Sequence, residues 1–121
     1  MPLATGVDIV EVHRLEAAVA RFGERFLNRF LTERERAACG HKLVSIAGRW
    51  AAKEAVAKAL GCGIGDVAWK EIEVLNDERG APHVLLHGQA AHRAAQLGLH
   101  TWSLSISHTE TYAVAFVVAL G

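Results

Sequence analysis

Residues 43–60 read LVSIAGRWAAKEAVAKAL, a segment that is rich in alanine and contains no proline. Alanine has the highest helix propensity and the polar groups occupy few positions, so the segment predicts a helix that is buried almost all round. A glycine-rich run follows and ends it. Four charged residues, Arg49, Lys53, Glu54 and Lys58, stand in this otherwise apolar helix and require an explanation.

The spacing of these charges favours a phosphate site. Arg49 and Lys53 are four residues apart, and like charges at that spacing repel unless an anion lies beside them. Glu54 and Lys58 are also four apart, in the order that favours a surface salt bridge worth about 0.3 to 0.5 kcal/mol. A surface bridge explains that pair alone, whereas a bound phosphate explains the additional cations on so alanine-rich a helix.

Asp8 also requires an explanation, because it stands in the apolar run GVDIV at residues 6–10, which predicts a buried strand. Burying a carboxylate is costly unless a metal ion or a basic side chain balances it. On Asp8 alone, a functional site and a purely structural role, as an ion pair or as a cap for the following helix, are equally open interpretations.

Two further segments carry groups that suit a phosphate-bearing ligand. The run GCGIG at residues 61–65 allows backbone N–H groups to approach an anion or a flat ring, although a simple helix stop has the same pattern. Ser103, Ser105 and Ser107 share one face of a predicted strand and leave room for a bulky group. His108 follows them. Three roles are open to it: contact with a phosphate, transfer of a proton, or simple exposure to solvent.

The pattern along the chain predicts an α+β fold, with a small antiparallel sheet packed with the long central helix in a single domain. Thr32 and Glu35 form a capping box, and Gly23 bends or divides the helix before it. The predicted elements are a strand at 6–10, a helix at 12–30, a short helix after Thr32, helices at 43–60 and 89–97, and strands at 69–75, 82–87, 101–107 and 111–120, with His108 in the turn between the last two strands.

Length and composition limit the classes of protein. The 121 residues, 51% of them hydrophobic, suit one domain over residues 1–121, and 13 basic residues balance 13 acidic ones. We therefore expect neither nucleic acid nor a membrane as a partner. Cys39 and Cys62 are expected to be reduced thiols, and the N-terminal residues do not resemble a signal peptide, so the sequence predicts a soluble, cytoplasmic protein. The histidines lack the spacing of zinc hydrolases.

Five segments, taken in order along the chain, resemble the signature of the 4'-phosphopantetheinyl transferase family. They are GVDIVE at 6–11 with Arg14, FLTERE at 30–35, RWAAKEA at 49–55 with Lys58, GAPHVLLHG at 80–88 and SISHT at 105–109. Trp50 stands where the family usually has phenylalanine, and Val10 stands where its larger, monomeric members have a second acid. The second departure fits the small, stand-alone branch, whose metal has fewer protein ligands.

The resemblance implies transfer of the 4'-phosphopantetheine arm of coenzyme A to a serine of an apo acyl carrier protein, with adenosine 3',5'-bisphosphate as the other product. It also implies a magnesium ion held by Asp8 and Glu54, with Lys58 beside the pyrophosphate, so these three residues form the catalytic group. Glu54, directly or through a water, is the expected base for the serine proton.

The resemblance also implies a set of residues that bind coenzyme A. These are Arg49, Lys53, Lys58 and His108 near the phosphates, and Gly63 and Gly65 along the nucleotide. Lys53 has a second interpretation, because a lysine at this place in the motif is also able to hold the helix or a neighbouring acid.

Arg14, Arg21 and Arg25 are seven and four residues apart, which places them on one side of the predicted first helix. Acyl carrier proteins are strongly acidic, so we expect this basic side to dock the carrier. A solvated face balanced by Glu16 and Glu24 is the competing interpretation. The stand-alone members of the family are trimers with active sites between subunits, and the resemblance therefore predicts a homotrimer.

Two other functions are compatible with the residues alone. A metal-dependent phosphohydrolase or nuclease would use the same two carboxylates without a carrier protein. A non-catalytic nucleotide-binding or assembly module would use the charges structurally.

Overall fold

The computed structural model describes all 121 residues, in which a long helix lies against a three-stranded sheet. The strands are β1 (Leu3–Glu11), β2 (Ile72–Asn76), β3 (Pro82–Leu86), β4 (Thr101–His108) and β5 (Tyr112–Leu120). The helices are α1 (Val12–Phe22), α2 (Glu24–Phe30), α3 (Glu33–Cys39), α4 (Leu43–Ala59) and α5 (Gly88–Leu97), and a 3-10 turn at Trp69–Glu71 precedes β2. None of these helices has the length and apolar character of a membrane span.

The three-stranded sheet is antiparallel, with β5 between β1 and β4. β1 pairs with β5 from Leu3 opposite Leu120 to Glu11 opposite Tyr112, and β4 pairs with the other edge of β5. β2 and β3 form a separate antiparallel hairpin. The predicted α+β fold, with a small antiparallel sheet packed with a long central helix, is confirmed.

Small side chains allow α4 to lie unusually close to the inner face of the sheet. Ala51 and Ala55 are fully buried there. β1 approaches so closely that a Cβ atom on Gly6 would lie 1.8 Å from the carbonyl oxygen of Ala55. Because side chains alternate along a strand, Asp8 points to the same inner side as Gly6 and therefore faces α4.

The outer face of the sheet carries apolar side chains that no other part of the chain covers. Val7 and Ile9 of β1 are 52% and 62% exposed, and Phe116 of β5 is 47% exposed. Val7 lies opposite Phe116 and Ile9 lies opposite Val114, so the four side chains form one patch, which we call the outer sheet face. A contiguous exposed apolar patch is typical of a protein interface.

The structure corrects two local predictions and resolves a third. The predicted helix at 12–30 is two helices, because Gly23 adopts a φ of 61° between them. Trp69–Glu71 is a 3-10 turn and not the start of a strand, since the Glu71 N–H donates to the Ala68 carbonyl and the Glu71 carboxylate accepts from the Ala68 N–H. His108 ends β4, where it pairs with Ala113, and does not lie in the turn.

Candidate active site

β1 and α4 bring together the three residues predicted to be catalytic. Lys58 Nζ lies 3.2 Å from Asp8 Oδ1 and 2.8 Å from the carbonyl oxygen of Val7. Burial raises the pKa of Glu54, the negative charge of Asp8 raises it further, and Lys58 opposes both effects. The two carboxylates therefore repel each other, and a cation between them would remove that repulsion.

The donor set at Asp8 and Glu54 fits a hard divalent cation. The chain has no cluster of three or more His, Cys, Asp or Glu side chains able to hold a metal ion. A magnesium ion at this place would therefore take two carboxylates from the protein and complete its shell with water and phosphate oxygens, as that ion commonly does.

Glu54 lies on the wall between two clefts. The Asp8 cleft, of about 460 Å³, is lined by Asp8, Arg14, Phe26, Trp50 and Glu54 among others. The Gly65 cleft, of about 630 Å³, is lined by Arg29, Glu54, Gly65, Trp69 and Lys70 among others. A carboxylate shared by two clefts suits a reaction in which two substrates meet.

A third cleft, the Arg49 cleft of about 170 Å³, contains Arg49 and His108 together with Ser45 and Asn76. Arg49 is only 5% exposed, and its Nε and Nη2 atoms are buried without a hydrogen-bond partner. A buried guanidinium without acceptors is costly, and a phosphate would supply them. The structure thus brings together Arg49 and His108, two of the residues predicted to lie near the phosphates.

The Arg49 cleft is separate from the clefts beside Glu54. Glu54 follows Arg49 by five positions on α4, which turns their side chains about 140° apart around the helix axis. The Arg49 cleft accordingly shares no lining residue with the other two. Within one chain, Arg49 and His108 therefore do not share a cleft with Asp8 and Glu54.

Lys53 lies on none of these walls, because its side chain has no exposed surface. Its Nζ donates to Glu35 Oε1 at 2.8 Å, to the Trp69 carbonyl at 2.9 Å and to the Ile72 carbonyl at 2.6 Å. Burial lowers the pKa of Lys53, and the charge of Glu35 opposes that shift. All three ammonium protons are used inside the protein, so the predicted contact of Lys53 with the cofactor is wrong, and the interpretation that it balances a neighbouring acid agrees with the structure.

The glycine run shapes the Gly65 cleft but offers few unbonded backbone N–H groups to a ligand. Gly65 lines the Gly65 cleft with a φ of 120°, which favours glycine. Its N–H donates to the Val67 carbonyl, and the Gly63 N–H donates to Asp66 Oδ2 at 3.2 Å. A nucleotide in this cleft would therefore meet the backbone at close range, and these two amides would not bind it unless their internal bonds opened.

The three arginines predicted to dock a carrier protein are all exposed, but they do not share one helix. Arg14 and Arg21 lie on α1, whereas Arg25 follows Gly23 on α2. The predicted single helical side is therefore wrong. Arg14 reaches the Asp8 cleft, so one of the three adjoins the catalytic group.

The competing interpretation of this basic side, a face balanced by acids, is weakened at one position. Glu24 forms a salt bridge with Arg36 at 2.6 Å. Arg21 instead lies over the ring of Phe22, 5.1 Å from its centroid. The basic charge of Arg21 is thus left without this acidic neighbour.

Sequence reasoning missed two residues that shape the site. Gly6 sets the distance between β1 and α4, and a glycine inside a strand beside Asp8 was the available signal of a close approach. Glu35 was recognised only as part of the capping box, which the structure confirms, and its second role as the partner of Lys53 has no signal in local spacing.

Comparison with known proteins agrees with the resemblance found in the sequence. A profile of the 4'-phosphopantetheinyl transferase superfamily matches residues 4–117. The holo-[acyl-carrier-protein] synthase of Herpetosiphon aurantiacus is 50% identical over 126 residues, which cover 98% of this chain and 99% of that protein. The chain therefore belongs to the 4'-phosphopantetheinyl transferase superfamily.

Solved structures of the same family share the fold. The crystal structure of Helicobacter pylori holo-[acyl-carrier-protein] synthase in complex with coenzyme A matches with a TM-score of 0.88 and 37% identity, over 96% of this chain and 99% of that one. The Bacillus anthracis holo-(acyl-carrier-protein) synthase in complex with CoA (3',5'-ADP) matches with a TM-score of 0.78 and 39% identity, over 96% and 94% of the two chains.

Proposed function

We propose that the chain is a holo-[acyl-carrier-protein] synthase, which transfers the 4'-phosphopantetheine arm of coenzyme A to a serine of an apo acyl carrier protein. The observation that carries this proposal is the position of Glu54 between two clefts, with Asp8 on one side. A transferase requires two substrates to meet at one group, whereas a phosphohydrolase requires one substrate and water. Family membership and relatives of that name at 50% identity support the same activity.

In the proposed reaction the serine hydroxyl oxygen bonds to the phosphorus that carries the pantetheine arm, and the bond from that phosphorus to the bridging oxygen breaks. Adenosine 3',5'-bisphosphate leaves with that oxygen. Glu54 takes the serine proton, directly or through a water, and its raised pKa suits a base. Lys58 offsets the negative charge that develops on the departing phosphate.

We propose that Asp8 and Glu54 hold a magnesium ion. The supporting observation is that each carboxylate stands in the electrostatic field of the other, which contributes to the raised pKa of Glu54. When bound, the ion supplies positive charge to the pyrophosphate oxygens. Lys58 donates to Asp8 Oδ1, so Asp8 Oδ2 would be available to the ion as an acceptor.

We also propose a homotrimer with active sites between subunits. The outer sheet face supplies an uncovered apolar surface, and the separation of the Arg49 cleft from Glu54 supports a site completed by a second copy. Phe116→Asp should therefore yield an inactive monomer in light scattering. Leu85→Asp, which changes an exposed leucine of β3 outside that face, is the matched control and should remain a trimer. A stable, fully active monomer of the unaltered chain would contradict the proposal.

Arg14, Arg21 and Arg25 are proposed to dock the acidic carrier protein. Complementary charge raises the association rate and sets orientation more than affinity. Arg14→Glu combined with Arg21→Glu should raise the KM for the carrier and leave the KM for coenzyme A unchanged. Glu16→Arg, on the same helix, makes the opposite change in charge and should not raise the carrier KM. Equal effects of the double variant on both KM values would contradict the docking role.

Residues 1–121 are proposed to form one catalytic domain that works in the cytoplasm. Cys39 and Cys62 form no disulfide, which suits a reducing compartment. Burial raises the pKa of both thiols, so they are neutral at physiological pH.

The test of the activity is to incubate the protein with coenzyme A, magnesium and an apo carrier protein, and then to weigh the carrier. A mass gain of one phosphopantetheine arm is the expected result. An unchanged carrier with hydrolysed coenzyme A would identify a phosphohydrolase instead. An unchanged carrier with intact coenzyme A would indicate a non-catalytic module.

A further inference from the structure

The ion pair of Lys53 and Glu35 is the most deeply buried pair of charges in the protein, since neither side chain has any exposed surface. Lys53 uses its other two ammonium protons on the carbonyl oxygens of Trp69 and Ile72. Trp69 lies in the segment that connects the glycine run to β2, and Ile72 is the first residue of β2. The lysine therefore holds a stretch of backbone as well as an acid.

Glu35 is itself held at three points. Oε1 accepts the Thr32 N–H at 2.9 Å as well as the Lys53 ammonium, and Oε2 accepts the Val74 N–H at 2.8 Å. These bonds attach the carboxylate to the start of α3 and to β2. Glu35 thus fixes Lys53 against two separate elements, and the ammonium has little freedom to move.

The backbone that Lys53 holds is a wall of the Gly65 cleft. Trp69 and Glu54 both line that cleft, and Glu54 is the residue that follows Lys53 on α4. The Trp69 ring packs against Trp50 with ring centroids 4.3 Å apart, and against Phe30 at 5.8 Å. The ring is therefore held by aromatic contacts, and the backbone is held from inside by Lys53.

A buried ion pair is a poor way to gain stability alone, because apolar side chains of similar volume are often as stable or more so. What apolar side chains lack is directed hydrogen bonds to two carbonyl groups. We propose that Lys53, oriented by Glu35, is a positioning residue that fixes the Trp69 wall of the Gly65 cleft relative to Glu54, so that the cleft is preformed for coenzyme A. This inference rests on the proposed transferase function.

The decisive variant combines Glu35→Gln with Lys53→Met. Lys53→Met alone leaves an unpaired buried carboxylate and is expected to fold poorly. The double variant has no unpaired charge. It lacks the ammonium donors and also one acceptor oxygen of residue 35, because the glutamine NH2 group donates where a carboxylate oxygen accepted. Glu73→Gln is the matched control, because Glu73 is also a buried carboxylate but bonds to Thr32, Arg34 and His87 and not to the wall of the cleft.

We expect the double variant to raise the KM for coenzyme A by about tenfold, because small misplacements of a binding surface are costly. The KM for the carrier protein should not change, since the arginines proposed to dock it make no contact with Lys53 or Glu35. Glu73→Gln should lower the melting temperature without raising the KM for coenzyme A. A double variant with the wild-type KM for coenzyme A, or a control that raises it equally, would overturn the proposal.

Hydrogen exchange gives a second reading that needs no substrate. The amides of Ala68 and Glu71 are bonded within the wall, and in the double variant they should exchange about tenfold faster, while amides of β4 and β5 keep their rates. Unchanged exchange at Ala68 and Glu71 would overturn the positioning role. If the wild-type protein transfers no arm to a carrier, the proposed function fails, and this exchange result still decides whether Lys53 positions the wall.

Discussion

Arg49 and Lys53 lie one turn apart on α4 and are both buried, yet their surroundings are opposite. Lys53 has a carboxylate and two carbonyl oxygens as acceptors, whereas two nitrogen atoms of Arg49 have none. Proteins rarely leave a buried charged group without partners, because the loss of hydration is not recovered. We infer that Lys53 stabilises the fold, whereas Arg49 is placed to bind a ligand that supplies the missing acceptors.

The carboxylates Glu54 and Glu73 repeat this contrast. Burial alone would raise the pKa of both, and the charge of Asp8 raises that of Glu54 further. At Glu73, hydrogen bonds from Arg34, Thr32 and His87 outweigh burial and lower the pKa to about 2. Charged groups that have hydrogen-bond or ion-pair partners within the chain stabilise the fold. Charged groups that lack such partners, or that are repelled by a like charge, mark the proposed site.

The largest expected effect comes from Gly6→Ala, which alters the packing of β1 against α4, the helix that carries both Arg49 and Lys53. The new Cβ would lie 1.8 Å from a backbone oxygen of α4, so β1 must move away from the helix. We expect a loss of at least about 3 kcal/mol in the free energy of unfolding, measured by urea denaturation. Gly63→Ala is the control, since its Cβ meets nothing within 4 Å. Equal stability of Gly6→Ala and the wild type would refute the close packing.

Glu54→Gln tests whether the carboxylate that Asp8 repels is part of the active site. It removes the proposed base and one ligand of the proposed metal ion, so kcat/KM should fall by about a thousandfold. The melting temperature should stay the same or rise, because the repulsion by Asp8 is lost. Exposed Glu16→Gln should change neither quantity. A Glu54→Gln variant that unfolded at a lower temperature and kept its activity would show that Glu54 has a structural role and not a catalytic one.

Arg49→Met tests whether the buried guanidinium without acceptors contributes to ligand binding or to stability. Charge-assisted hydrogen bonds to a phosphate would be lost, so the KM for coenzyme A should rise by about 30-fold. Stability without ligand should not fall, because the removed nitrogen atoms had no partner. Urea denaturation and initial rates measure the two quantities. A strong loss of stability with an unchanged KM would reverse the assignment of Arg49.

Glu73→Gln tests a carboxylate whose partners all lie within the chain, and it should have a smaller, pH-dependent effect on the free energy of unfolding. The pKa of Glu73 is depressed from an ordinary 4.5 to about 2 in the folded protein. Its contribution, about 2 kcal/mol after allowance for the exposed Arg34, is therefore present above pH 4.5 and is lost as the pH falls towards 2. Unfolding measured across that range should show a shallower pH dependence in the variant, and identical slopes would contradict the network.

Much of the fold could be predicted because local signals were strong. The long helix follows from its alanines, the start of α3 from Thr32 and Glu35, β1 from its apolar run, and β4 from its alternating serines. The division at Gly23 was left open by the pattern, since a glycine is tolerated inside a helix and also ends one.

The site could be predicted less completely, because it depends on contacts between distant segments. The family motif implied that Asp8, Glu54 and Lys58 lie together, and the structure places Lys58 3.2 Å from Asp8, with Asp8 and Glu54 on the wall of one cleft. The motif also implied that Lys53 binds the cofactor, although residues 53 and 54 are adjacent in the sequence and point in different directions around the helix. Burial of Lys53 by Glu35 and by the wall at Trp69 is a tertiary effect that no local pattern contains.

The most direct test of the account is a crystal structure of the protein with coenzyme A and magnesium. The account predicts a metal ion between the carboxylates of Asp8 and Glu54, and a phosphate oxygen of coenzyme A within hydrogen-bond distance of Arg49 Nε or Nη2. Lys53 should keep its three internal bonds. A coenzyme A molecule bound away from Glu54, with Arg49 still lacking an acceptor, would contradict the central claim that the unmet charges define the site.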